Sequence, residues 1–300
     1  MIFSCIFIAV FFAWGAVATQ AQTGPKPPDH PAITFQGRTY TPRSIVERNM
    51  RSEADQTGQF PPHKIIGNIY YVGTHTLSSF LIVTPQGNIL IDSTWERNVR
   101  TIQKSVTQLG FKFSDVKILL ANHAHGDHQE GDALVKELTG AQVMVMAEDV
   151  PALQAIKPGG KVHPIDKVLH DGGTVKLGGT TLVAHLTAGH TRGCTTWTTT
   201  AREGGKTYNV VFGCSLRSPI PLTPPIIAEF NRTFKVVRAL PCDVLLGDHP
   251  AEYSLDEKYA KVREGGPNPF IDRASCRQEA DMEQAMFHAI LNEQQKGAGR

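Results

Sequence analysis

The chain has 300 residues, 41% of them apolar, which is enough for one large buried core or two smaller ones. Thirty Lys and Arg stand against 28 Asp and Glu, giving a net charge of +2, and the basic residues are spread along the chain. With no basic stripe there is no electrostatic footprint for nucleic acid, and no composition shift marks a central linker, so a single domain with a small-molecule partner is expected.

Ile2 to Val17 is almost wholly apolar, shorter than the ~20 residues that a membrane-spanning helix needs. Small residues follow at Ala16-Val17-Ala18 and Thr19-Gln20-Ala21. Residues 1–21 therefore read as a signal peptide, which predicts a periplasmic or secreted protein with no stable membrane association after cleavage. The segment carries no Lys or Arg, which leaves an uncleaved anchor as the competing reading, and Cys5 lies inside the apolar run where lipoprotein-type modification does not apply. Export puts Cys194, Cys214, Cys242 and Cys276 in an oxidising compartment, where an even count suggests two disulfides. Spacing does not choose among the three pairings, and no C-x-x-C pair signals a zinc knuckle.

Residues 22–62, rich in proline (Pro25, Pro27, Pro28, Pro31, Pro42), are expected to form an extended arm with a short helix near Ile45 to Met50 and little chemistry. The main domain, residues 63–300, opens with short strands at Ile69 to Val72, Phe80 to Val83 and Asn88 to Asp92, the last two joined by the turn Thr84-Pro85-Gln86-Gly87. Val99, Ile102, Val106 and Leu109 recur at helical spacing within Trp95 to Leu109, with Gly110 at the C-terminal end. Val116 to Leu120 reads as a buried strand. Helix at Asp132 to Leu138, strand at Gln142 to Met146 and helix at Glu148 to Ile156 continue a βαβα run. Val168 to Leu186 is β-structure broken at Gly172-Gly173 and Gly178-Gly179, and Trp197 to Thr200 with Tyr208 to Phe212 form a hairpin. Helix from Ile226 to Leu240, strand from Val244 to Leu246, and helices from Leu255 to Glu264 and Asp272 to Gln294 complete the chain. The expected fold class is α/β, two mixed sheets with helices outside. No heptad or exposed apolar helix argues for more than a monomer.

Directly after the strand Val116 to Leu120 stands Asn122-His123-Ala124-His125-Gly126-Asp127-His128, with four potential metal ligands in six residues. Imidazoles with one carboxylate suit zinc or a similar divalent ion. On a loop leaving a strand, His123 and His125 point one way while Asp127 and His128 come round the turn, which suits two metals better than one. His190 and His249 each follow a predicted strand in the same manner, and they raise the ligand count toward what two ions require.

The pattern His-x-His-x-Asp-His, with Gly189-His190-Thr191 and His249 beyond it, resembles the metallo-β-lactamase fold, an αββα sandwich with its metals at one edge. Within that superfamily the chain is most similar to class B, subclass 3 metallo-β-lactamases, through Gly189 to Thr198, Arg238 to Leu246 and Asn268 to Asp272. The resemblance implies one zinc on His123, His125 and His190 and a second on Asp127, His128 and His249. It implies a hydroxide at the two ions, its parent water brought from a pKa of 15.7 to about 7, that attacks the β-lactam amide of penicillins, cephalosporins and carbapenems, with Asp127 orienting it. Antibiotic resistance would follow. Lactonases and thioesterases of the same fold are the alternative, but such relatives carry a metal-bridging Asp at a strand end that here reads Phe212-Gly213-Cys214-Ser215.

Ser215-Leu216-Arg217 matches a Ser-Leu-Ser segment whose hydroxyls hold the substrate carboxylate in the family. Arg217, in place of the second Ser, offers a charge-assisted contact instead. Gln129-Glu130-Gly131 also departs from the small residues usual after the cluster, and it brings a carboxylate near the metals. The resemblance implies a Cys242–Cys276 disulfide. Cys194 and Cys214 are left to form a second bridge, unless Cys214 is a soft metal ligand as a Cys is in the first subclass. Substrate preference is expected to depend on the loops Thr74 to Ser79 and Ser215 to Pro225.

Overall fold

The computed structural model describes residues 26–298, so the expected signal peptide over residues 1–21 lies outside the described residues. The N-terminal arm is more structured than its prolines suggest. It contains the hairpin β1 (Ile33–Phe35) and β2 (Arg38–Tyr40), then α1 (Pro42–Met50) and α2 (Glu53–Thr57). The proline content misleads because Pro27, Pro28 and Pro31 precede the hairpin, while Pro42 takes the first position of α1, where an N–H would have no helical partner anyway. Thr41 and Ser44 close a capping box on α1, and Ser52 and Asp55 do the same on α2.

Next come β3 (His63–Ile66), β4 (Ile69–Tyr71), β5 (Phe80–Thr84), β6 (Gly87–Ile91), α3 (Val99–Gln108), β7 (Val116–Leu120), α4 (Gly126–Gln129), α5 (Asp132–Thr139), β8 (Gln142–Met146), α6 (Val150–Ala155) and β9 (Lys167–Leu169). These strands form one seven-stranded sheet in sequence order, antiparallel from β3 to β6 and parallel from β6 to β9. The second half supplies β10 (Thr174–Leu177), β11 (Thr180–Leu186), β12 (Thr195–Glu203), β13 (Lys206–Gly213), α7 (Pro224–Ala239), β14 (Val244–Gly247), α8 (Leu255–Glu264) and α9 (Ser275–Ala298). Its five strands pair antiparallel up to β13, and β14 joins β13 in parallel.

The apolar runs of β5 to β8 are long because both faces of that sheet are buried. Side chains alternate with period two. Phe80, Ile82, Ile89, Ile91, Ile118 and Leu120 face Trp197, Phe212, Val244 and Leu246 of the second sheet. Leu81, Leu90, Leu119, Val143 and Val145 face the other way, onto Val99, Ile102 and Val106 of α3 and onto Val135 and Leu153. Each fully buried aliphatic of this kind contributes about 1.5–3 kcal/mol. On the far side, α7 and α9 pack Phe230, Phe234, Met286 and Phe287 together with Ile45 of the arm. The layers therefore run helix, sheet, sheet, helix, a four-layer αββα sandwich. Among the described residues no helix is long and apolar enough to cross a membrane.

Several element ends differ from the sequence reading for local reasons. Glu96–Asn98 and Ala147–Asp149 are 3-10 turns leading into α3 and α6, and α5 stops where Gly140 takes the left-handed conformation. α9 begins at Ser275 because Asp272 acts as its cap, Oδ1 accepting from the N–H groups of Ala274 at 3.1 Å and Ser275 at 3.4 Å.

Candidate metal centre

The sequence places every predicted ligand just past a strand, and the fold gathers those strand ends at one edge. His123 and His125 follow β7, Asp127 and His128 lie in the single turn α4, His190 sits between β11 and β12, and His249 follows β14. Parallel pairing of β6 with β7 and of β13 with β14 brings the corresponding ends to the same side. Two three-residue sets result. The ligand atoms of His123, His125 and His190 lie within 4.8 Å of one another, and so do those of Asp127, His128 and His249. The sets adjoin, since the rings of His123 and His128 are 4.3 Å apart.

The hydrogen bonds around the imidazoles decide which nitrogen is free. His190 Nδ1 lies 2.8 Å from the Arg217 carbonyl and His249 Nδ1 2.9 Å from the Thr76 carbonyl, so both must donate there and keep a lone pair on Nε2. His123 Nδ1 faces Asp248 Oδ2 at 3.4 Å, and His128 Nδ1 faces Asp92 Oδ2 at 3.4 Å. The Nε2 atoms of His123 and His128 are buried and make no hydrogen bond. A buried polar atom without a partner is costly, and lone pairs that converge in this way fit a divalent cation. Nε2 of His128 and of His249 also approach Asp127 Oδ2, at 3.4 and 3.9 Å. A nitrogen-rich set of three imidazoles beside one with a carboxylate is the donor chemistry of zinc.

The electrostatics follow from burial and neighbours. His123 and His190 are held well below the usual imidazole range, first by burial and then by the surrounding imidazoles, with Arg217 adding to the effect at His190. Both therefore offer neutral ligands. Burial also works against a charge on His128, but Asp127 and Asp92 outweigh it and raise that imidazole well above its usual value. Asp127 stays ionised despite burial because His128, His249 and His125 lower it. Asp92 is pushed up to about 6, chiefly by burial.

Several supporting residues carry no sequence signal. Asp92 takes a left-handed φ of 60° just past β6, a conformation that costs about 1–3 kcal/mol in a residue with a side chain and aims the carboxylate at His128. Its other oxygen accepts the Asn122 N–H at 2.8 Å and so ties the loop before His123. Asp248 Oδ2 also accepts the Ser215 N–H at 2.9 Å. The loop Thr74 to Ser79 is not an open wall, since Thr74, Thr76, Ser78 and Ser79 are buried and Thr76 holds His249.

Ser215 is 3% exposed and its Oγ accepts the Arg217 N–H at 3.4 Å, while the half-buried Arg217 guanidinium is close enough to act on His125, His190 and Glu283. The Glu130 carboxylate is engaged by the backbone, with Oε2 accepting the Glu96 N–H at 3.1 Å, and Glu130 belongs to neither ligand set. Cys194 pairs with Cys214 and Cys242 with Cys276. The reading of Cys214 as a soft metal ligand is therefore replaced. Its sulfur lies 3.6 Å from His123 Nδ1 but is bonded to Cys194, and a disulfide sulfur is not a thiolate.

Comparison with known proteins bears on this centre. A model of the metallo-β-lactamase superfamily matches residues 72–202. The fold is similar to that of the FEZ-1 metallo-β-lactamase from Legionella gormanii at 43% identity and a TM-score of 0.77, covering 80% of this chain and 98% of that one. It is similar to BJP-1, a subclass B3 metallo-β-lactamase of Bradyrhizobium japonicum, at 35% identity and a TM-score of 0.75, covering 81% and 98%. MEM-A1, a subclass B3 metallo-β-lactamase from a soil metagenome library, is similar at 33% identity and a TM-score of 0.73, covering 81% and 100%.

Proposed function

The chain belongs to the subclass B3 metallo-β-lactamases, zinc-dependent hydrolases, and from that membership we propose that it binds two zinc ions and opens the β-lactam amide of penicillins, cephalosporins and carbapenems, protecting an exporting cell from these antibiotics. The observation that carries the two-ion reading is the pair of adjoining three-ligand sets, each with its ligand atoms within 4.8 Å of one another and each holding a buried imidazole Nε2, of His123 or of His128, that makes no hydrogen bond. His123, His125 and His190 would hold one ion, and Asp127, His128 and His249 the other. When bound, zinc supplies Lewis acidity, lowering the pKa of water toward ~7 and stabilising negative charge on the departing nitrogen.

This chain's own residues do the rest. Asp127 is ionised and has Oδ2 turned to His128 and His249, so its other oxygen would accept a hydrogen bond from the attacking water and orient it. Arg217 offers the cation that the substrate carboxylate requires, and Ser215 supports it by accepting its backbone N–H. The Arg217 carbonyl also fixes His190, so the segment that meets the substrate is the one that orients a ligand. The strand end at Gly213 to Ser215 brings a disulfide and no bridging carboxylate, which argues against lactone and thioester substrates. The apolar leader over residues 1–21 supports a periplasmic or secreted location.

The test is hydrolysis of a chromogenic cephalosporin with and without chelator, beside a zinc stoichiometry. Two zincs per chain and chelator-sensitive turnover are expected. Turnover of lactones or glutathione thioesters, with none of any β-lactam, would sink the proposal.

A further inference from the structure

Asp149 is absent from every ligand set, yet it touches both loops that carry the three-histidine set. It ends the 3-10 turn after β8 and occupies the N-cap of α6. An Asp at that position ordinarily caps its own helix, but this side chain makes no such bond. Both oxygens reach across to other loops instead. Oδ2 accepts the Ala124 N–H at 2.9 Å and the Thr191 hydroxyl at 2.9 Å, and Oδ1 accepts the Gly193 N–H at 2.7 Å. Ala124 lies between His123 and His125, while Thr191 and Gly193 come immediately after His190. The carboxylate is 3% exposed, so three donors replace the water it has lost. The approach is close enough that a Cβ on Gly193 would come within 2.6 Å of Asp149 Cβ, Cγ and N. A glycine there is a condition of the contact.

We infer that Asp149 is a positioning residue for the three-histidine metal set, a carboxylate clamp that fixes the distance between the His123-Ala124-His125 loop and His190. The inference rests on the two-zinc reading above. The contacts that orient single rings, Arg217 to His190 and Asp248 to His123, act on one loop each, and the Thr195 N–H bonded to the Asn122 carbonyl at 2.8 Å joins the loops only at their strand ends, outside the ligand-bearing residues. Asp149 is bonded to both. Loss of an outer-shell partner of a metal ligand commonly costs 10- to 100-fold in affinity, about the effect expected here.

The experiment compares the parent protein with Asp149→Asn, which keeps the size of the side chain but replaces one acceptor oxygen with a donor. Stepwise zinc affinities come from chelator competition, metal-free stability from thermal unfolding, and ligand geometry from the visible spectrum of the cobalt-loaded protein. A roughly ten- to hundredfold loss at one site, with a changed cobalt spectrum and the second site unaltered, is expected. Thr191→Val should give a smaller loss at the same site and Thr191→Ser should restore it. Gly193→Ala should act in the same direction. Parent affinity and a parent cobalt spectrum in Asp149→Asn, even with a lower melting temperature, would overturn the inference, as would equal weakening at both sites. If Asp149→Asn does not fold, Thr191→Val and Gly193→Ala decide: parent affinity in both overturns it. A parent protein that binds no zinc defeats the functional reading itself, which is a different outcome.

Discussion

A buried imidazole between two carboxylates takes a proton unless something displaces it, and His128 is in that position, facing Asp127 through Nε2 and Asp92 through Nδ1. Burial opposes the charge, the two carboxylates prevail, and the pKa of the metal-free group is raised. A metal ligand needs the lone pair that this proton occupies, so zinc entering the second set must expel it. The sign follows: below the raised pKa of His128, apparent affinity increases about tenfold per pH unit, and above it the slope falls away. Zinc competition between pH 6 and 8 checks this, and a flat profile for both ions would refute it. Arg217 makes a separate prediction. A charge-assisted hydrogen bond is worth about 1.5–3 kcal/mol, so Arg217→Ala should lower kcat/KM for β-lactams roughly ten- to hundredfold, mostly through KM. Steady-state kinetics at saturating zinc would reveal it, and an unchanged KM would remove Arg217 from the substrate site. The candidate ligands could be picked out because their residue types and spacing have few other uses, and the fold brings them into two sets. Asp92, Thr76 and Asp149 were not, since each acts through geometry, by a left-handed φ, a backbone carbonyl or a bond between distant loops, and an Asp or Thr in a loop is unremarkable in sequence.

At the scale of elements, strands and helices could be read wherever burial imposes a period. The continuous apolar strands β5 to β8 and the stripe Val99, Ile102, Val106 of α3 match the sequence expectation because two buried faces leave little freedom there. Element ends were less legible, as at Asp272 and Asp149, because a short polar side chain can cap a helix, continue it or bond elsewhere, and only the surrounding donors decide. In the arm the helix expected near Ile45 to Met50 is present as α1, begun by Pro42, whereas the proline content hid the hairpin of β1 and β2 and the short α2. The cysteines show the same division, since spacing left their pairing open and the fold closes it. Cys194 and Cys214, 20 residues apart, tie the loop after His190 to the end of β13. Closing a loop of that size restricts the unfolded chain by about 3 kcal/mol. The double variant Cys194→Ala, Cys214→Ala should therefore melt several degrees lower. Because the bridge adjoins His123, the metal-free protein should show the larger drop, zinc holding that ligand in the loaded one. Thermal unfolding of both forms tests this, and equal drops would mean that the bridge and the metal act independently.

At the scale of the whole molecule, the arm has more consequence than its composition suggested, because it packs against a group of carboxylates in which Glu283 is buried and Glu252 and Glu279 are half-buried. Arg48 of α1 bonds Glu279 of α9 at 2.7 Å, and its neighbour Asn49 donates to Glu252 at 3.2 Å. Glu252 lies three residues past the candidate ligand His249, and Glu283 lies one helical turn from Glu279. Burial, then the neighbouring acids, raise Glu252 and push Glu283 up to about 8, while Arg48 opposes both shifts. A carboxyl whose folded pKa exceeds its unfolded value of 4.5 contributes stability that is complete below about pH 4.5 and lost as pH rises toward about 8. The parent protein should therefore lose some stability over that window, limited by Arg48. Replacing Arg48 by Met keeps the apolar stem and removes the cation. Breaking a buried ion pair costs about 3–5 kcal/mol, and the lower end applies because the Arg48 side chain remains 25% exposed. The pH dependence is the sharper expectation. Without the cation, Glu279 and Glu283 resist ionisation further, so the gap between parent and Arg48→Met should be small near pH 5 and widen steadily to pH 8. Denaturant unfolding of the two proteins across that range measures the gap. A gap that does not change with pH would mean that Arg48 acts by packing α1 against α9, and that the carboxylates beneath it are neutralised by other groups.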